Sequence, residues 1–134
     1  MTNARHPQKV SRTFPAHPSA LAAIRTFLRE RAGADALSRD MADEILLAAS
    51  EASANAVLHS GSPSVRVVWW REGNRIVVEV ADGGEFTRRI PLGPPEPGGR
   101  GIAVIMALSD EVTIREGNPG DPGTIVRMVK YLSA

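Results

Sequence analysis

The stretch from Asp82 to Gly101 constrains this chain more than any other, because its twenty residues hold six glycines and four prolines. Glycine samples too much backbone space, and proline lacks the N–H that helices and ladders use, so no regular element can run through it. It is therefore expected to be loop. The regular structure before it and the short remainder after it must meet around one core.

Before the loop, Val10 to Phe14 has the make-up of a short edge strand stopped by Pro15. His17-Pro18-Ser19 marks a helix start, since proline in the first turn gives up only an N–H that would have no partner there. Leu21, Ile24, Phe27 and Leu28 recur at helical spacing, and Gly33 is expected to be the left-handed residue that ends this helix. Ser38 can cap a second helix, with Asp40 near its positive end, that runs to about His59 and stops at Gly61 and Pro63. Met41, Ile45, Ala49, Ala52 and Ala56 step along one side of it. Strands Val65 to Trp70 and Arg75 to Val80 follow, joined by the turn Glu72-Gly73-Asn74.

After the loop, Ile102 to Leu108 reads as a short buried helix. Val112 to Glu116 and Thr124 to Leu132 then form a closing hairpin around Gly117 to Gly123. Strand, two helices, hairpin, loop, helix and hairpin make an α+β fold. The expected form is a two-layer α/β sandwich, with a mainly antiparallel mixed sheet and helices on one face. Residues 1–8 are polar and contain Pro7, so they read as a flexible tail before a single domain over residues 9–134.

A chain of 134 residues can bury one real core, and with aromatics at 4% that core must be mostly Val, Ile, Leu and Ala. A net charge of +1 provides no field for a nucleic-acid backbone. No acid precedes Glu30, whereas Arg5, Lys9, Arg12, Arg25 and Arg29 do; a solvated tail and helix face is favoured over a basic patch for an acidic partner. The absence of cysteine removes disulfides and thiol chemistry. No apolar run is long enough to span a membrane and Met1 to Val10 has no signal-peptide core, so a cytoplasmic protein is expected.

Four short motifs carry chemistry. Glu51 and Asn55 lie four residues apart on one helix face, with His59 one turn further, among small and apolar neighbours. A carboxylate and a carboxamide placed so can divide proton transfer and Mg²⁺ ligation, though a solvated helix face is the commoner meaning of such a pair. Asp82-Gly83-Gly84 follows an apolar strand, where an acid can accept from the exocyclic amine of a base and the glycines allow close approach. Asp-Gly is also an ordinary turn dipeptide. Gly98-Gly99-Arg100-Gly101 opens a helix, as anion-binding backbone does, but it lacks the Gly-Lys-Ser/Thr of a phosphate loop. Gly123-Thr124 enters the last strand, where the hydroxyl can bond a base or its own turn.

In this order and spacing the four motifs resemble the GHKL superfamily of ATP-binding domains, whose fold is the Bergerat type. The single-domain length, Glu51 through Asn55 to His59, and Gly99-Arg100-Gly101-Ile102 are similar to the anti-sigma factor serine/threonine kinases within it. The resemblance covers residues 12 to 132 and implies an ATP-dependent protein kinase. It would sequester a sigma factor and phosphorylate an anti-anti-sigma antagonist, with no nucleic-acid or membrane partner and commonly as a homodimer. It implies ATP and Mg²⁺ as cofactors, with Asn55 holding the metal and Glu51 as general base. Asp82 would bond the adenine amine with Gly84 close to the ring, Gly99, Arg100 and Gly101 would wrap the phosphates, and Thr124 would complete the adenine pocket. Phe86 stands where the family often has a second glycine, and residues 86 to 98 would form a proline-rich lid. The alternatives are a nucleotide-binding module without phosphoryl transfer, a detached histidine-kinase catalytic domain, and a sandwich that binds no nucleotide.

Overall fold

A computed structural model describes residues 8–59, 61–83, 100–118 and 121–132. Five strands form one sheet in the order β1-β2-β3-β5-β4, and every pairing is antiparallel. They are β1 (Val10–Pro15), β2 (Ser64–Glu72), β3 (Arg75–Asp82), β4 (Glu111–Asn118) and β5 (Asp121–Tyr131). Helices α1 (Leu21–Ala34), α2 (Arg39–His59) and α3 (Arg100–Leu108) complete the fold, with a 3-10 turn at Pro18–Ala20 leading into α1.

Alternation along the strands decides which face the helices cover. Val65, Val67 and Trp69 of β2 join Ile76, Val78 and Val80 of β3 and Met128 of β5 in one core. Ile24, Phe27 and Leu28 of α1, Ile45, Ala49, Ala52 and Ala56 of α2, and Ile105 of α3 pack onto it. The small residues of α2 let its backbone lie close to the sheet. Aromatics are few but central: Phe14 meets Phe27 edge-on at 6.0 Å, and buried Trp69 donates its Nε1 proton to Asp35 at 2.6 Å.

The reverse face carries a smaller cluster, where Trp70, Val77 and Val129 lie in one row across three strands beside Val68. Lys9 sits 4.2 Å from the Trp70 ring centre and Arg127 5.5 Å, while Arg127 also pairs with Glu79 at 2.8 Å. The early basic residues are thus partly used inside the fold, since Arg12 also lies over Phe27. Their stems cover apolar surface while their charges stay wet.

Ends of elements follow their chemistry, with one correction. His17 Nδ1 accepts from the Ser19 N–H, and Ser38 Oγ accepts from the Met41 N–H, each capping a helix start. Gly33, expected to end α1 in the left-handed region, is instead helical, and Ala36 takes that conformation at φ 54°. The reason is hydrogen bonding: Ala36 N–H reaches the Gly33 carbonyl and Leu37 N–H the Ala32 carbonyl, which closes the helix three residues later than glycine alone suggested. Gly73, at φ 63°, opens the two-residue turn between β2 and β3. The loop expected to run through Gly101 gives way to α3 at Arg100, because the helix starts two residues earlier than its apolar run.

Candidate functional site

The geometry of α2 relative to β3 sets what can assemble here. Toward the middle of α2, Ile45, Ala48 and Ala49 face Ile76, Val78 and Leu108 around a void of about 10 Å³, too small for more than one water. At the far end of β3, beyond Asp82, the Gly83 N–H donates to the hydroxyl of Ser62, in the connection that follows α2, at 3.2 Å.

At this end of the sheet Asp82 is paired with Thr124 across β3 and β5 and with Val65 on β2. Thr124 is buried, and Asp82 is half-buried at the strand terminus. Gly123 closes on the same point: a Cβ there would stand 2.7 Å from the Asp82 carbonyl oxygen, and the residue holds φ 148°. An acid, a hydroxyl and close-packed backbone thus converge where β3 ends.

On α2, Glu51 and Asn55 are both half-buried and share the face that carries Leu47 and Leu58, which are 50% and 57% exposed. Between them on the opposite side, Ser53 is fully buried and turns its hydroxyl to the Ala49 carbonyl at 2.8 Å. The polar pair is therefore set in an apolar rim, not on a uniformly charged surface. Among the described residues no three of His, Cys, Asp and Glu cluster to hold a metal by themselves.

Helix α3 packs on α2 and is fixed at its far end. Lys130 Nζ donates to the Leu108 carbonyl at 2.8 Å and pairs with Glu44 of α2 at 2.7 Å. Arg100 and Gly101 form the opposite, N-terminal end of α3, the positive end of its dipole. Gly84, Gly99 and the segment from Phe86 to Gly98 lie outside the described residues, as does the side chain of His59. Ser62 and Lys130 were not legible as site supports, because both act on partners about twenty residues away in the chain.

Two groups with displaced pKa values sit at the other end of the sheet. Trp70 Nε1, helped by Arg75, holds the Glu72 carboxyl below its usual range, and the Glu111 carboxylate bonded to Tyr131 raises that phenol. The chemistry at Asp82 is separate from this region.

A two-layer sandwich with a half-buried acid at the end of β3 and a polar pair on the neighbouring helix is the layout of a nucleotide-binding ATPase domain. The chain belongs to the histidine kinase-like ATPase domain family, whose profile matches residues 14–130. It is similar to serine-protein kinase RsbW of Bacillus velezensis, at 30% identity over 90% of this chain and 83% of the relative. RsbW of Bacillus licheniformis is 31% identical, over 89% and 82%. The solved structure of the RsbU and RsbW domains of a Mycobacterium tuberculosis protein aligns with a TM-score of 0.75 and 23% identity over 95% of this chain. This chain spans 33% of that longer one, and the likeness is one of fold. No described helix is long and apolar enough to cross a membrane.

Proposed function

We propose that this chain is an ATP-dependent protein serine/threonine kinase that acts as an anti-sigma factor, sequestering a sigma factor and phosphorylating its anti-anti-sigma antagonist. The observation that carries the nucleotide assignment is the convergence of Asp82, Thr124 and Gly123 at the end of β3. Similarity to two serine-protein kinases over most of both chains supports the transfer step.

In this reading Asp82 accepts the adenine amine, Thr124 bonds the ring edge, and Gly84 packs close to the base. Gly99, Arg100 and Gly101 meet the phosphates at the start of α3. Asn55 gives its carboxamide oxygen to Mg²⁺, and Glu51, one helical turn earlier, takes the proton of the accepting serine. ATP supplies the transferred phosphoryl group. The chain's own part is to orient that group, neutralise its charge and receive one proton. The partners act in the cytoplasm, and a homodimer is the assembly proposed.

Melting with and without Mg-ATP tests the binding half. At about a hundred times Kd, ATP should add roughly 2.7 kcal/mol of stability. GTP presents a carbonyl where adenine has its amine and should add far less. Equal shifts for the two nucleotides would refute the adenine assignment.

A further inference from the structure

We infer that Ser62 is a positioning residue for base recognition, holding the Asp82 end of β3 against the connection between α2 and β2. The inference rests on the nucleotide reading given above. Ser62 stands in the short connection between α2 and β2 and is only 8% exposed. Its hydroxyl donates to the Ser64 carbonyl at 2.8 Å and accepts from the Ser64 N–H at 3.3 Å, which fixes the connection itself. It also accepts the Gly83 N–H at 3.2 Å, a residue twenty-one positions further along the chain.

That last bond falls at a particular place. Asp82 is the final residue of β3, with ladder partners Val65 and Thr124 on either side, and Gly83 is the first residue beyond the ladder. Without an anchor, the chain beyond a strand end frays, and the carboxylate of the last residue swings with it. Gly123 lets the β5 backbone approach the Asp82 carbonyl with no room for a Cβ, and Ser62 holds the next peptide from the connection between α2 and β2. The acid is thus clamped between two elements. One of them is the connection that follows the helix carrying Glu51 and Asn55, so the bond ties the base end of the site to the chain leaving that helix.

The test separates base from phosphates. Ser62→Ala should speed hydrogen exchange at the Gly83 amide in the free protein, with little change at core amides. It should weaken ATP binding by about 3- to 10-fold, the usual range for one hydrogen bond. Inorganic tripolyphosphate with Mg²⁺, which has no base, should bind as before. The preference for ATP over GTP should shrink, and Ser62→Thr, which keeps the hydroxyl, should restore both values. Equal weakening of ATP and tripolyphosphate would make Ser62 a general structural support and overturn the inference. So would unchanged ATP affinity in Ser62→Ala. If the parent protein bound ATP no better than tripolyphosphate, the adenine reading itself would fail, whatever Gly83 exchange showed.

Discussion

Replacing Gly123 by alanine tests the clamp on Asp82 through stability alone. Two costs combine. At φ 148° a residue with a Cβ is strained by about 1–3 kcal/mol. The new Cβ also stands 2.7 Å from the Asp82 carbonyl oxygen, a contact that real Cβ atoms do not make. That oxygen cannot swing aside as a flexible side chain would, because Asp82 is held in the ladder on both sides and Gly83 is bonded to Ser62. Such overpacking adds about 1–3 kcal/mol, so the sum is about 2–6 kcal/mol. For a domain of this size each kcal/mol moves Tm by about 4 °C, which gives a fall of about 8–24 °C. Gly73→Ala is the control, because Gly73 also has positive φ, at 63°, but nothing lies within 4 Å of its Cβ position. That variant should lose about 1 kcal/mol, from the left-handed backbone only. Thermal melts followed by circular dichroism compare the two. If both variants melt within about 2 °C of each other, the contact with Asp82 contributes nothing and the clamp argument is wrong.

Ala36→Gly should raise stability by about 1 kcal/mol, because Ala36 holds φ 54° at the end of α1; a lower urea midpoint would contradict the Schellman closure seen there. Trp69→Phe should cost about 1.5–3 kcal/mol in the same assay by removing the indole N–H bonded to Asp35, and a neutral result would show that this bond is replaced by water. Asp82→Ala should lower ATP affinity by about 1–3 kcal/mol by calorimetry, with Gly73→Ala showing no such effect. Asn55→Ala should remove the Mg²⁺-dependent part of ATP binding while leaving the melting curve of the free protein in place. Unchanged Mg-ATP titrations would return Asn55 to the role of a plain helix-surface residue.

Much of the fold could be read from spacing alone. The small-residue line Ile45, Ala49, Ala52 and Ala56 buries as helical periodicity requires, and Ser38 caps α2 where the pattern began. The glycine at position 73 placed the β2–β3 turn, since only a residue free of Cβ opens that turn without strain. Less was legible where the deciding contact is distant in sequence. Gly33 looked like a helix end, yet the hydrogen bonds of Ala36 and Leu37 fix the end later, and no local preference announces an alanine at positive φ. The pairing of Asp82 with Thr124 needed the strand order, which places β5 between β3 and β4 and is invisible to local pattern. Ser62 was silent for the same reason, because a serine after a helix is common and its partner at Gly83 is brought to it by the pairing of β2 with β3.

Phosphoryl transfer itself is the most direct test of the central claim. Purified chain is mixed with Mg-ATP labelled on the γ-phosphate and with the cognate antagonist protein, and label on antagonist serine is followed in time. The account predicts transfer by the parent protein. For Glu51→Gln it predicts near-normal ATP affinity and melting point with transfer reduced by about 10²–10⁴-fold, since shape is kept and the proton acceptor is lost. A parent protein that binds Mg-ATP yet moves no phosphate to its antagonist would contradict the claim and leave a binding module in its place.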